Sequence, residues 1–155
     1  MGANVLTLDG RINYSTNNLI ERNFPCIIGL EAAATWWGLG TYNDSRNIML
    51  VEDSDAPVEG EFIDADIAGF FVPSIDRTQL IKLSDCVSVT SKAQTVCDVI
   101  RYDRSLCYVL DIVMEAEESD DEAFKSELYA LLDKYGLRQK YNELYAEAVD
   151  AFENQ

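Results

Sequence analysis

The sequence predicts a mixed α/β fold: a small mixed sheet with packed helices, followed by a C-terminal helical hairpin. Three observations lead there. Residues 47–90 break into short β-prone runs separated by Pro, Gly, Asp and Ser. From residue 91 onward the apolar spacing changes from two to three and four, with polar starts and glycine stops. Apolar residues make up 48% of the 155, enough for one domain to bury a core without metal or disulfide staples.

The elements follow in chain order. Residues 1–25 are mixed and polar, and read as a loosely anchored arm or a short helix around Asn17–Arg22. Leu30–Leu39 (LEAAATWWGL) is Ala-rich and is expected to be a helix with Gly40 as its C-cap. Asn47–Val51 is a β-prone run after the turn-like Asn43-Asp44-Ser45, and Ile67–Val72 is a second, stopped by Pro73. Gln79–Leu83 and Cys86–Thr90 alternate with period two. Ser91-Lys92-Ala93-Gln94 has the pattern of a capping box, in which the Ser91 hydroxyl accepts the Gln94 amide and the Gln94 side chain reaches back. It opens a helix over Ser91–Tyr102 with Val96, Val99 and Ile100 as its stripe. Ser105–Ala116 is apolar through its centre (LCYVLDIVM) and is expected to be the most buried helix. Ser119-Asp120-Asp121-Glu122 reads as a second capping box with extra acids at the positive helix end, opening Asp120–Tyr135 up to Gly136. Leu137, Tyr141, Leu144, Ala148 and Phe152 then make one stripe on a final amphipathic helix. The organisation expected is an arm over 1–25, an α/β core over 26–118 and C-terminal helices over 119–155 packed on it, one domain overall.

Charge and missing residue types narrow the function. Twelve Lys and Arg stand against 28 Asp and Glu, a formal charge of -16. Such a field repels phosphate backbones, so direct nucleic-acid binding is not expected, and it favours a protein partner with a basic surface. The chain has no histidine, which excludes Ser–His and Cys–His catalytic units. Cys26, Cys86, Cys97 and Cys107 have no C-x-x-C spacing, so a zinc or haem site is not indicated. All but Cys86 sit in apolar runs, where a free thiol packs as a small hydrophobe, a usage that suits a reducing cytoplasm. No G-x-x-x-x-G-K-[ST] or G-x-G-x-x-G loop is present to cradle phosphates. The start, MGANVLTLDGRINYS, lacks the basic and apolar regions of a signal peptide, and no apolar run approaches the ~18 residues of a membrane span. We therefore expect no enzyme, no cofactor and no catalytic residue.

Candidate contact residues remain. Asp64 and Asp66 form an Asp-x-Asp pair that would face one side of a strand and suit a divalent ion, or simply charge an edge strand against aggregation. No third ligand is suggested, so no metal is assigned. Residues 47–76 hold eight acids (Glu52, Asp53, Asp55, Glu59, Glu61, Asp64, Asp66, Asp76) and no base. Residues 105–124 hold seven (Asp111, Glu115, Glu117, Glu118, Asp120, Asp121, Glu122), again with no base. Sharing a surface, they would imitate the charge of a nucleic-acid strand; apart, they are a solvated loop and helix start. Trp36 and Trp37 are adjacent on a helix, so both cannot face the core centre equally, and one is a candidate exposed anchor. Tyr129, Tyr135, Tyr141 and Tyr145 read as packing residues.

The run Gly29-Leu30-Glu31-Ala32-Ala33-Ala34-Thr35-Trp36-Trp37-Gly38-Leu39 is similar to an "S-A-L-x-x-x-G-L" helix, and Asn47–Val51 supplies the strand after it. Val87–Ile100 resembles a "V-T-S-P-E-R-T-x-x-D-x-I" signature: Ser91, Thr95 and Asp98 match, while Lys92, Ala93 and Gln94 replace Pro, Glu and Arg. Leu132–Arg138 is close to a "K-Y-G-x-R" helix junction. These are motifs of the AbiEi family, antitoxins of the abortive-infection (type IV) toxin–antitoxin systems, and over about 25–140 the chain resembles that family's C-terminal domain. The resemblance implies a role in neutralising a nucleotidyltransferase-like toxin, with Ser91, Gln94, Thr95 and Asp98 as candidate contacts. Family members usually carry an N-terminal winged helix-turn-helix. Only about 25 residues precede the matching region here, with Arg11 and Arg22 their only bases, so the expectation is an antitoxin domain without a DNA-binding half. The alternative is an acidic phage or mobile-element inhibitor, of anti-CRISPR or anti-restriction type, occupying the nucleic-acid groove of a defence enzyme.

Overall fold

The computed structural model describes residues 19–40, 47–52, 58–64 (backbone only) and 67–153. The strands are β1 (Cys26–Ile28), β2 (Asn47–Glu52), β3 (Val58–Asp64), β4 (Ile67–Val72), β5 (Leu80–Lys82) and β6 (Val87–Thr90). The helices are α1 (Leu30–Trp36), α2 (Lys92–Arg101), α3 (Leu106–Glu117), α4 (Glu122–Lys134) and α5 (Arg138–Glu153). The strands form one mixed six-stranded sheet in the order β3-β4-β2-β1-β6-β5. β1 runs parallel to β6 and β2 parallel to β4, while β1–β2, β3–β4 and β5–β6 are antiparallel. This is the mixed α/β fold that the sequence predicts.

Two strands escape a reading of the sequence. β1 has only three residues, too few to show a period, yet it is central. β3 carries three acids and a glycine, which lower β propensity, and it lies at the sheet edge with an irregular register to β4. Gln79 belongs to a short 3-10 turn (Arg77–Gln79) and not to the strand that follows. Residues 19–22 are helical, and Leu19 sits in the main core at 1% exposure, so this end of the expected arm is firmly anchored. The Asn43–Ser45 turn lies outside the described residues.

Helix ends follow backbone chemistry. α1 stops earlier than expected: Gly38 (φ 75) takes the left-handed position, with Leu39 N–H donating to Ala34 O (2.8 Å) and Gly38 N–H to Thr35 O (3.1 Å). Gly40, expected as the cap, instead gives its amide to the Glu115 carboxylate. α4 ends as predicted at Gly136 (φ 69), with Leu137 N–H donating to Leu132 O (2.7 Å). At its start the cap is Asp121, which accepts from Phe124 N–H (3.1 Å); Ser119 only accepts from Asp121 N–H (3.1 Å).

The helix with the most complete burial is α2, in which every residue from Ala93 to Ile100 is buried. It packs on α1, α3 and α4, so it has neighbours on most sides. α3, expected to hold that place, buries only Val109, Ile112, Val113 and Ala116, while Leu106 (52%) and Cys107 are exposed. An apolar helix needs partners all round to vanish from the surface, and α3 at the outside of the stack meets chiefly α5. Cys26 and Cys97 are buried as expected. Burial pushes their thiols up to about 11 and about 12, respectively.

α1 is fastened across the fold by an ion pair between Glu31 and Arg104 (Oε1–Nε 2.8 Å), both largely buried, with the guanidinium over the Phe70 ring. Replacing Arg104→Met should strand the Glu31 carboxylate and cost about 3–5 kcal/mol. The double variant with Glu31→Leu should recover most of that loss, both read by urea denaturation. β1 enters α1 through Gly29, where an added Cβ would meet Leu50 Cγ at 2.6 Å. Gly29→Ala should therefore destabilise the chain by about 1–3 kcal/mol, seen as a lower denaturation midpoint with an unchanged m-value.

Candidate functional site

The sequence motif at the start of α2 becomes one connected polar network. Ser91 caps the helix, accepting from Gln94 N–H (3.1 Å), and its hydroxyl donates to Gln79 Oε1 (2.8 Å). Thr90 and Thr95 hydroxyls share a hydrogen bond (2.7 Å), Thr95 also reaches Ser91 O (2.7 Å), and Trp37 Nε1 donates to Thr90 O (2.8 Å). The Gln94 side chain does not return to the helix start. Its amide donates to Asp98 Oδ1 (2.8 Å) and its carbonyl accepts from Tyr135 OH (3.1 Å), because Asp98 one turn on offers a charged acceptor. Arg101 completes the set, donating through Nε to Asp98 (3.0 Å) and lying over the rings of Tyr135 (4.2 Å) and Tyr102 (4.7 Å). Asp98 and Arg101 thus pair at three residues' spacing along one helix face.

The network is closed rather than open. Gln94, Thr95 and Asp98 are 3%, 0% and 2% exposed, so these three candidate contacts face inward and brace β6, α1, α2 and α4; only Ser91 is half-exposed. The crevice above them, lined by Asp76, Thr90, Gln94, Asp98, Arg101 and Tyr102, has a free volume of about 10 Å³, room for about one water. Trp36 and Trp37 are both half-buried against the core, and neither stands fully exposed.

The acidic stretches have mixed fates. Glu117 is occupied by its own fold: Tyr129 OH (2.8 Å) and Tyr141 OH (3.0 Å) both donate to its carboxylate, with Lys125 at 3.8 Å. Burial, then the Glu117 carboxylate, push Tyr129 up to about 12, and Tyr141 is raised further. Glu118 accepts from Tyr145 OH (3.2 Å), Asp121 caps α4, and Asp120 is exposed. From the first stretch, Glu52 pairs with Arg77 (2.6 Å), and Asp76 accepts from Thr78 and meets Lys134 (3.3 Å). Asp76 thus meets the end of α4, while Glu117 and Asp121 meet residues nearer its start. Asp66 and the side chain of Asp64 lie outside the described residues. Among the described residues, no three His, Cys, Asp or Glu side chains are grouped to hold a metal ion. No helix among them is long and apolar enough to cross a membrane.

One feature was not foreseen from the sequence. α3 and α5 flank an apolar groove of about 220 Å³, lined by Cys107, Leu110, Asp111, Met114, Ala148, Ala151 and Phe152. Phe152, expected within the packing stripe of α5, is 66% exposed. The signal was present in the composition of α3: Leu106, Leu110 and Met114 sit on a different face from Val109, Ile112, Val113 and Ala116, and one helix face cannot cover both.

Burial raises Asp98 to about 6, against lowering by Arg101 and Gln94. A carboxyl that holds its proton more tightly when folded adds stability below the unfolded value near 3.8, and that stability is lost as pH rises through about 6. Asp98→Asn removes this titration. The stability of the wild-type chain relative to that variant should fall between pH 3.8 and 6 and be flat outside it, by ~1.4 kcal/mol per unit, in parallel denaturation series.

No protein-family model matches the chain, and no curated protein matches it.

Proposed function

We propose that the chain is a non-catalytic, antitoxin-like regulator that binds a basic protein surface and suppresses a nucleotidyltransferase-type toxin of an abortive-infection system. The observation that carries this reading is the charge: 28 acids against 12 bases, in a chain without a single imidazole. Such a surface speeds encounter with a cationic protein and discourages phosphate backbones. The stretches that resemble AbiEi antitoxins fall on α1, on β6 with α2, and on the turn between α4 and α5, elements that pack together or join in sequence. The enclosed crevice beside the α2 motif, with room for about one water, supports a binding role for the surface over turnover of a substrate there.

Co-expression with a nucleotidyltransferase encoded beside this chain's gene should restore growth that the nucleotidyltransferase alone arrests. Continued arrest, with both proteins present in the soluble fraction, removes the antitoxin reading.

A further inference from the structure

The Asp98 carboxylate has two oxygens, and its own helix serves only one of them. Gln94 Nε2 (2.8 Å) and Arg101 Nε (3.0 Å) both donate to Oδ1. No donor among the described residues reaches Oδ2, although Asp98 is almost wholly buried. A carboxylate oxygen taken out of bulk solvent without a donor is costly, so some group must complete it. Oδ2 is not sealed in by protein atoms. It opens on the crevice that Asp98 lines together with Ser74, Asp76, Thr90, Arg101 and Tyr102. Donors stand around the same space. Arg101 spends Nε on Asp98 and lays its plane over Tyr102 and Tyr135, which leaves its Nη groups without an acceptor among the described residues. The Ser74 and Tyr102 hydroxyls likewise have none there.

We infer that the crevice is the binding site of one ordered water, which donates to Asp98 Oδ2 and accepts from at least one of Arg101, Tyr102 and Ser74. The lining selects a small neutral molecule that both gives and takes hydrogen bonds. A metal ion would need several free oxygens, but Asp76 spends Oδ1 on Thr78 and faces Lys134 with Oδ2. The Arg101 guanidinium repels a cation as well, and an anion would meet the Asp98 carboxylate. A free volume of about 10 Å³ admits a water and shuts out larger solutes. Bound there, the water fills the junction between α2 and the loop after β4 that carries Ser74 and Asp76. The inference concerns the interior of the domain and stands whether or not the chain neutralises a toxin.

Crystallography of the full chain at atomic resolution tests the site directly. A single peak refining as water should lie about 2.5–3.2 Å from Asp98 Oδ2 and from an Arg101 nitrogen or the Tyr102 or Ser74 hydroxyl. A protein donor placed directly on Oδ2, a crevice without density, or a peak that refines as a metal ion or a larger solute overturns the inference. In solution, magnetic relaxation dispersion of the water nuclei counts the waters held longer than the protein takes to tumble. The double variant Asp98→Leu with Arg101→Met removes both charges together, and it should hold one such water fewer than the wild type. An equal count in the folded variant also overturns the inference. Where that variant does not fold, the wild-type density decides alone.

Discussion

The way α2 packs against β6, α1 and α4 depends on keeping one buried carboxylate satisfied. Asp98 sits in the middle of α2, and a lone buried charge costs several kcal/mol. Its two donors, Gln94 and Arg101, come from the same helix, but each is itself held from outside. Tyr135 steadies both, by hydrogen bonding Gln94 and by stacking under Arg101, so the end of α4 is fixed against α2. Thr90 and Thr95 tie the other end of α2 to the last central strand, and Trp37 brings in α1. A chain in which any of these elements drifted would leave a polar group bare in the core. This gives the packing its specificity, where area alone would tolerate several arrangements.

Much of this was legible in the sequence, for physical reasons. Ser91 as a cap, Asp98 with Arg101 and the stop at Gly136 are local: each depends on residues within one or two turns. The strands with a period of two, and the 3.6-residue stripes of the last helices, carry their own signal. What escaped is non-local. Gln94 accepts a hydrogen bond from Tyr135, 41 residues later, a partner that no local pattern names. α3 surfaces because, among the described residues, α5 is its main neighbour and its other flanks are less covered. β1 is a strand only because β2 and β6 pair with its three residues. Propensity says little at that length.

The same contrast separates the two kinds of acid. Glu117 and Asp121 serve the fold, one gathering Tyr129 and Tyr141 onto the end of α3, the other closing the first turn of α4. Glu143, Glu147 and Glu153 are exposed on α5, outside the hydrophobic core. Composition counts all of these alike. Only the tertiary structure sorts the carboxylates that build the domain from those left at its surface.

The sheet itself changes character at its midpoint. On one side lie β3, β4 and β2, on the other β1, β6 and β5, and the ladder joining them registers only at Ile28 and Met49. Each half is well zipped internally, with six partners in register between β2 and β4. The seam is therefore the thinnest line in the sheet, spanned by that one register pair, by the Gly29 N–H donating to Ile48 O (2.9 Å) and by the close approach of Gly29 to Leu50. Thermal opening that stops short of global unfolding has a natural place to begin there, parting the domain into two three-stranded leaves.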